Sequence, residues 1–326
     1  MRGSQKLRFG SDGDLISIAI NHPIGRMVTA LVDKSFPKRI NKGIGIAEPY
    51  RLLFEVVSRS SKKSSRYGRL ILASRAIAFY YADEEWTRQN ILPNSFWGDE
   101  DEAAAFWQGF LWQRSMHVPL LKEIKESFLA TMSHSVVLSD SVRSYVSLFV
   151  SLSMLHLDEF PNSEMKGPFR TMGVAQLEDA AKVIEDRMHN AVNANENVDE
   201  VWRENCWPVI NGMWPRDRDL MTPNIRLHLT VALLYTKSIL STGITEFWFL
   251  GPCENYYWLF QRCLESSNIT QWPRQTLEIL YRSIDKAPRS YEGLDKCLEK
   301  LVAADQTISD DPKYKHLYRM VEEVKD

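Results

Sequence analysis

Cysteine is sparse in this 326-residue chain: Cys206, Cys253, Cys263 and Cys297 lie far apart, and none forms a C-x-x-C pair. A chain of this length does not need disulfides to fold, so buried free thiols in a reducing compartment are expected. Long apolar runs are also missing. The longest, Tyr145 to Leu157, is interrupted by Ser147, Ser151, Ser153 and His156 and bounded by Arg143 and Asp158. A bilayer span takes about 20 predominantly apolar residues, so this run is too short and too polar. Residues 1–10 carry Arg2, Lys6 and Arg8 without an apolar segment, unlike a secretory signal. The expectation is a cytoplasmic protein with no membrane partner.

Strand signals and clustered reactive groups are equally scarce. No Asn-Gly hairpin with flanking alternation occurs, and Val136-Val137-Leu138 is too short to mark a strand. Gly43-Ile44-Gly45 lacks the spacing and the Lys-Ser/Thr ending of phosphate-binding loops. It reads as a flexible lead-in to a helix opened by Glu48-Pro49. The seven histidines, His22, His117, His134, His156, His189, His228 and His316, include no pair at helical spacing and none near a cysteine. No local metal site can be drawn, which leaves only a site assembled across helices. Asp158-Glu159 and Asp310-Asp311 are sequence neighbours, which point to different faces of a helix, so both pairs read as surface charge.

What is present is helical periodicity. Tyr50, Leu53, Phe54 and Val57 fall at i, i+3, i+4, i+7, as do Ala103, Phe106, Trp107 and Phe110. Asp99-Glu100-Asp101-Glu102 precedes the second stripe, placing carboxylates where the helix dipole favours them. Further stripes are Leu121, Ile124, Phe128, Met132; Val142, Tyr145, Val146, Phe149; Ile225, Leu229, Ala232, Leu233; Leu277, Leu280, Tyr281, Ile284; and Tyr291, Leu294, Leu298, Leu301. Breakers separate them: Pro93-Asn94, Pro161-Asn162, Gly167-Pro168, Trp214-Pro215, Thr222-Pro223, Gly251-Pro252 and Asp311-Pro312. Ser139, Thr222 and Asp311 read as N-caps.

The pattern predicts an all-α chain: an irregular stack of antiparallel helical hairpins, solenoid-like and at most HEAT- or armadillo-like, since no repeat of fixed period is recognisable. The Pro-, Gly- and polar-rich stretch Phe160 to Gly173 suggests subdomains 1–165 and 166–326, or one continuous array.

Net charge is −2, but residues 1–70 hold fourteen Lys/Arg against five Asp/Glu, leaving the remainder acidic. The basic front and acidic body are expected to meet each other or to face different partners. The run Ser58 to Arg66 is a solvated connection between helices, or else a phosphate contact. His22, in Asn21-His22-Pro23-Ile24-Gly25, is expected to satisfy backbone groups freed by a bend. Trp202, Trp207 and Trp214, with Pro208, Pro215 and Arg216-Asp217-Arg218-Asp219, combine interface-type residues with rings suited to wedging helix ends together in a core.

One set of stretches resembles a known group of proteins. It comprises Asn21-His22-Pro23-Ile24-Gly25-Arg26 leading into Ala30-Leu31-Val32-Asp33, Gly68-Arg69-Leu70 before Phe79-Tyr80-Tyr81 and Trp86-Thr87, and Phe106 to Trp112. The fourth stretch is Trp207-Pro208 to Trp214-Pro215. Together they are similar to the helical C-terminal regions of large bacterial anti-phage proteins, where an effector or nucleotide-handling domain, often sirtuin-like, comes first. The resemblance implies a fragment or detached homologue acting as sensor or scaffold, with any activity held in a fused or partner domain.

The expected function is therefore a non-catalytic module for protein–protein recognition, partnered with a protein or a fused effector domain. No residue is assigned as catalytic, cofactor-binding or metal-ligating, and no cofactor is expected. Two alternatives stay open: nucleic-acid binding through residues 1–70, and an all-α hydrolase with an aromatic-lined cleft, which needs two carboxylates facing each other across a pocket.

Overall fold

The computed structural model of the chain describes residues 15–36, 40–113, 115–138, 140–285 and 293–323. Every regular element among them is helical, so the fold is all-α. Residues 1–14, Ser139 and Tyr291 lie outside the described residues. The chain divides into two compact units, Met1–Leu148 and Phe149–Asp326.

The first unit opens with α1 (Leu15–Asn21) and α2 (Pro23–Ser35), bent by 77° at His22. Pro23 has no N–H to continue the ladder, and His22 takes over as N-cap, its Nδ1 accepting from the Ile24 amide at 3.2 Å. The role expected for His22 is the one it has. Then follow α3 (Tyr50–Arg59), α4 (Ser65–Ser74), α5 (Ala76–Ala82), α6 (Glu84–Asn90) and α7 (Glu100–Trp112). Three short helices complete the series, α8 (Val118–Glu123), α9 (Lys125–Ala130) and α10 (Ser135–Leu138).

Helix α4 is the centre of this unit, packed by α1, α2, α3 and α7. A solenoid joins each hairpin only to its neighbours; here one helix is enclosed on several sides, which is why Leu70 to Ala73 are all buried. Against it, α7 buries every residue from Ala103 to Leu111. The two backbones approach so closely that a Cβ on Gly109 would lie 2.3 Å from the Leu70 carbonyl oxygen. Asp99 caps α7 by accepting from the Glu102 amide, with Glu100 to Glu102 in the first turn.

The stripe Leu121, Ile124, Phe128, Met132 is buried as expected but spreads over α8, α9 and a 3-10 turn, Thr131–His134. Hydroxyls interrupt the regular ladder here: Thr131 donates to the Ser127 carbonyl, and Ser127 donates to Ser95.

Helix α11 (Ser141–Leu155) spans the division. The second unit continues with α12 (Asn162–Thr171), α13 (Val174–Asn193), α14 (Val198–Val201), α15 (Trp207–Gly212), α16 (Pro223–Leu234) and α17 (Tyr256–Glu265). It ends with α18 (Asn268–Gln271), α19 (Pro273–Ser283), α20 (Leu294–Ala304) and α21 (Pro312–Glu322). Gly167-Pro168, expected to break a helix, lies inside α12, where buried Met165 and Phe169 hold the turn against the core. A π-helical turn, Trp202–Cys206, joins α14 to α15. Pro208 cannot donate to a carbonyl four residues back, and the widened turn precedes it, the Trp207 amide bonding to Trp202 instead. Helix α13 packs on α16, α16 on α17, and α17 on α20.

No single helix among the described residues is long and apolar enough to cross a membrane. The bent pair α1–α2 has that composition in sum; one face, with Ile16, Ala19, Val28 and Val32, is buried and both helices pack on α4, while Ile18, Ile20 and Met27 are exposed.

Candidate functional site

A cleft of about 380 Å³ opens in the second unit between α13, α16 and α17. From α13 come Lys182, Glu185, Asp186 and His189, spaced i, i+3, i+4, i+7, and so on one face. The opposite face of α13, Leu177, Ala180, Ala181, Ile184, Met188 and Ala191, is buried in the core. From α17 come Trp258, Gln261, Arg262 and Glu265, with the same spacing, while Leu259, Phe260 and Cys263 point inward. Val231 on α16 and Tyr235 just beyond it form the floor.

The charges inside the cleft largely answer one another. Glu185 receives Lys182 Nζ at 3.1 Å and faces His228 Nδ1, which carries the proton toward this carboxylate acceptor. Burial pushes the Glu185 carboxyl up, but the His228 hydrogen bond and the Lys182 charge outweigh it and hold the group below the ordinary carboxylate range. For Lys182, burial lowers the pKa, and hydrogen bonds to Asp186 (2.7 Å) and Glu185 overcome it, so the ammonium is stabilised. The Arg262 guanidinium lies 4.3 Å from the centre of the Tyr235 ring and 3.4 Å from Glu265. His189 Nε2 takes the Asn193 amide at 3.0 Å, which leaves Nδ1–H to donate to Tyr235 Oη at 3.0 Å.

Four of the lining residues are exposed: Asp186, His189, Trp258 and Glu265. Trp258 is 58% exposed, its ring set edge-on against Tyr257, which is equally exposed. The side chains of Asp186 and Glu265 are 53% and 51% exposed. The cleft thus holds the Arg262 side chain largely out of water, leaves Lys182 40% exposed, and presents the Trp258 ring to solvent.

Carboxylates from both helices line the cleft, Glu185 and Asp186 from α13 and Glu265 from α17. Hydrolysis by an acid–base pair needs one carboxyl that stays protonated near neutrality, and Glu185 is shifted in the opposite direction.

None of the cleft residues stands out as a motif in the sequence. The signal that marks them is two polar stripes with the spacing of the apolar ones, on helices whose other faces are core.

The motifs that do stand out are held in structural roles. Gly43 and Gly45, at φ 72° and 78°, donate their amides to the carbonyls of Tyr81 and Ala82 at the end of α5. The Ser58 to Arg66 run is only partly a connection: its ends belong to α3 and α4, and residues 60–64 join them. Arg66 bonds Glu102 at 2.8 Å and Asp101 at 3.2 Å, so the basic front does meet acidic residues; Lys62 and Lys63 stay exposed.

Trp202 and Trp214 are buried, Trp207 is half-buried, and Arg216 to Asp219 are exposed. That favours core packing with a wet turn beside it. Asp311 caps α21 and Asp310 is exposed; Asp158 is exposed and Glu159 lies 3.9 Å from His156. His117 caps α8, His134 stacks on Trp97, and His316 packs against Tyr281. All four thiols are buried. Among the described residues no three His, Cys, Asp or Glu side chains converge as a metal site. No protein-family model, curated protein or solved structure matches the chain.

Proposed function

We propose that this chain is a non-catalytic helical recognition module, a sensor or scaffold that binds a protein and governs a fused or partnered effector, as in bacterial anti-phage defence. The observation that carries this reading is the rim of the α13/α16/α17 cleft. Large exposed aromatic rings, Trp258 and Tyr257, sit on a frame whose charged groups are already cross-linked and whose far side is core. Trp, Tyr and Arg in that setting are the residue types that dominate binding energy at interfaces.

Nucleic-acid binding is less well supported, because Arg66, the end of the basic run, is held by Asp101 and Glu102. Binding of the intact chain to sirtuin-like and other effector domains, and to phage structural proteins, tests the proposal by calorimetry or surface plasmon resonance. Saturable binding to one of them is expected. Uniform absence of binding across that set overturns it.

A further inference from the structure

We infer that Cys263 and Cys297 form a disulfide when this chain meets a low-molecular-weight disulfide oxidant such as glutathione disulfide, stapling α17 to α20. The bond goes beyond the recognition reading and does not depend on it. Helices α17 and α20 lie side by side in a fixed register, marked by three contacts that advance together along both. A Cβ on Gly293, the N-cap of α20, would lie 2.8 Å from Phe260 Cβ. One turn on, the Cys297 thiol donates to the Phe260 carbonyl oxygen at 3.7 Å. Nearly a turn further, Lys300 Nζ donates to the Leu264 carbonyl oxygen at 3.0 Å. Cys263 lies between Phe260 and Leu264 on the inward face of α17, and its thiol is hydrogen-bonded to that of Cys297. Both residues are fully buried.

The other two thiols are placed elsewhere. Cys206 ends the π-helical turn before α15, near Arg187, and Cys253 donates to the Gly251 carbonyl oxygen at 3.4 Å. In the exchange, one thiolate of the pair attacks glutathione disulfide, expels a glutathione thiolate and leaves a mixed disulfide. The second protein thiolate attacks the protein sulfur of that mixed disulfide, the Cys263–Cys297 bond forms, and the second glutathione leaves. The two thiol protons end on the two glutathiones; the protein pair loses two electrons and glutathione disulfide gains them. Because both thiols are buried, exchange proceeds while the chain folds or opens, and the finished bond is shielded from reductant. It encloses α18 and α19 in a loop and ties the α17 wall of the cleft to α20.

The test refolds the intact reduced chain from guanidinium into a mixture of reduced and oxidised glutathione, with a second sample kept in guanidinium throughout. Free thiols are then alkylated, and linked peptides are mapped by mass spectrometry without reduction. In the unfolded sample loop closure favours the nearest cysteines, Cys253 and Cys263, ten residues apart. In the refolded sample, once it regains the native circular dichroism, Cys263–Cys297 is expected to be the predominant link. Its thermal midpoint is expected to lie about 5 °C above that of the reduced protein. The variant Cys206→Ala, Cys253→Ala is expected to form the same link. Native protein held in the mixture for several days gives the same readout without refolding. Four free thiols in the refolded chain, the same spread of links in both samples, or a linked protein that melts below the reduced one overturns the inference.

Discussion

Arg69 and Glu102 form a two-pronged ion pair between α4 and α7, with Nε to Oε2 and Nη2 to Oε1 both at 2.7 Å. The remaining Arg69 nitrogen donates to the carbonyl of Ser60 at 2.6 Å, and Arg66 closes on the same carboxylate. Parallel N–H···O bonds of this kind are among the strongest and most directional in proteins.

Glu102→Gln leaves Arg69, only 8% exposed, without its countercharge. Removing one partner of a pair this buried is expected to cost about 3 kcal/mol, read as a lower urea midpoint. Burial raises the Glu102 carboxyl, but Arg69 and Arg66 lower it further, so its folded pKa lies below the unfolded value of about 4.3. Its contribution is therefore complete above that pH and is lost as the pH falls through the folded pKa. Wild type should lose stability in that acid window more steeply than the variant. Parallel profiles down to pH 3 would argue against the pair as a stability determinant.

Gly109→Ala puts a methyl group 2.3 Å from the Leu70 backbone oxygen, a contact that no side-chain rotation relieves. The helices have to separate, at about 3 kcal/mol. Thermal unfolding of the variant at wild-type temperature would show that α4 and α7 do not approach this closely.

Thr222 caps α16 through Ile225 and donates to Glu178 at 2.8 Å. Thr222→Ala is expected to lose about 1 kcal/mol for the cap and more for the second bond, while Thr222→Ser keeps both. Equal denaturation midpoints for the two variants would assign the effect to the lost methyl group.

Burial pushes the Cys206 thiol up to about 12 and Cys253 to about 11. Cys263, hydrogen-bonded to Cys297 and buried, is raised well above its ordinary value. Ellman's reagent at pH 8 should react slowly with the native protein and rapidly with four thiols in guanidinium. Fast reaction of even one native thiol would mean that a cysteine is reachable without unfolding.

Legibility in the sequence varied with the range of the interaction. The stripe of α16, the acidic start of α7 and the caps Thr222 and Asp311 depend on neighbours within one or two turns, and all stand where spacing and residue type put them. Phe54 and Val57 are buried on α3 as their spacing predicts, yet Leu53 in the same stripe is 41% exposed, because the width of a buried face depends on what packs against it. Gly167-Pro168 reads as a break and is helix, since two buried side chains outweigh a lost backbone bond.

By itself, then, the amino-acid order determined that this chain is helical, where several helices start and which faces turn inward, because those properties follow from periodicity and local hydrogen bonding. Only tertiary structure decided that Arg69 meets Glu102, that α4 rather than an end of the chain is central to the first unit, and that Arg262 is largely covered while Trp258 stays in water. Those outcomes depend on which residues distant in sequence become neighbours, and the desolvation and charge pairing that follow exist only once the helices have packed.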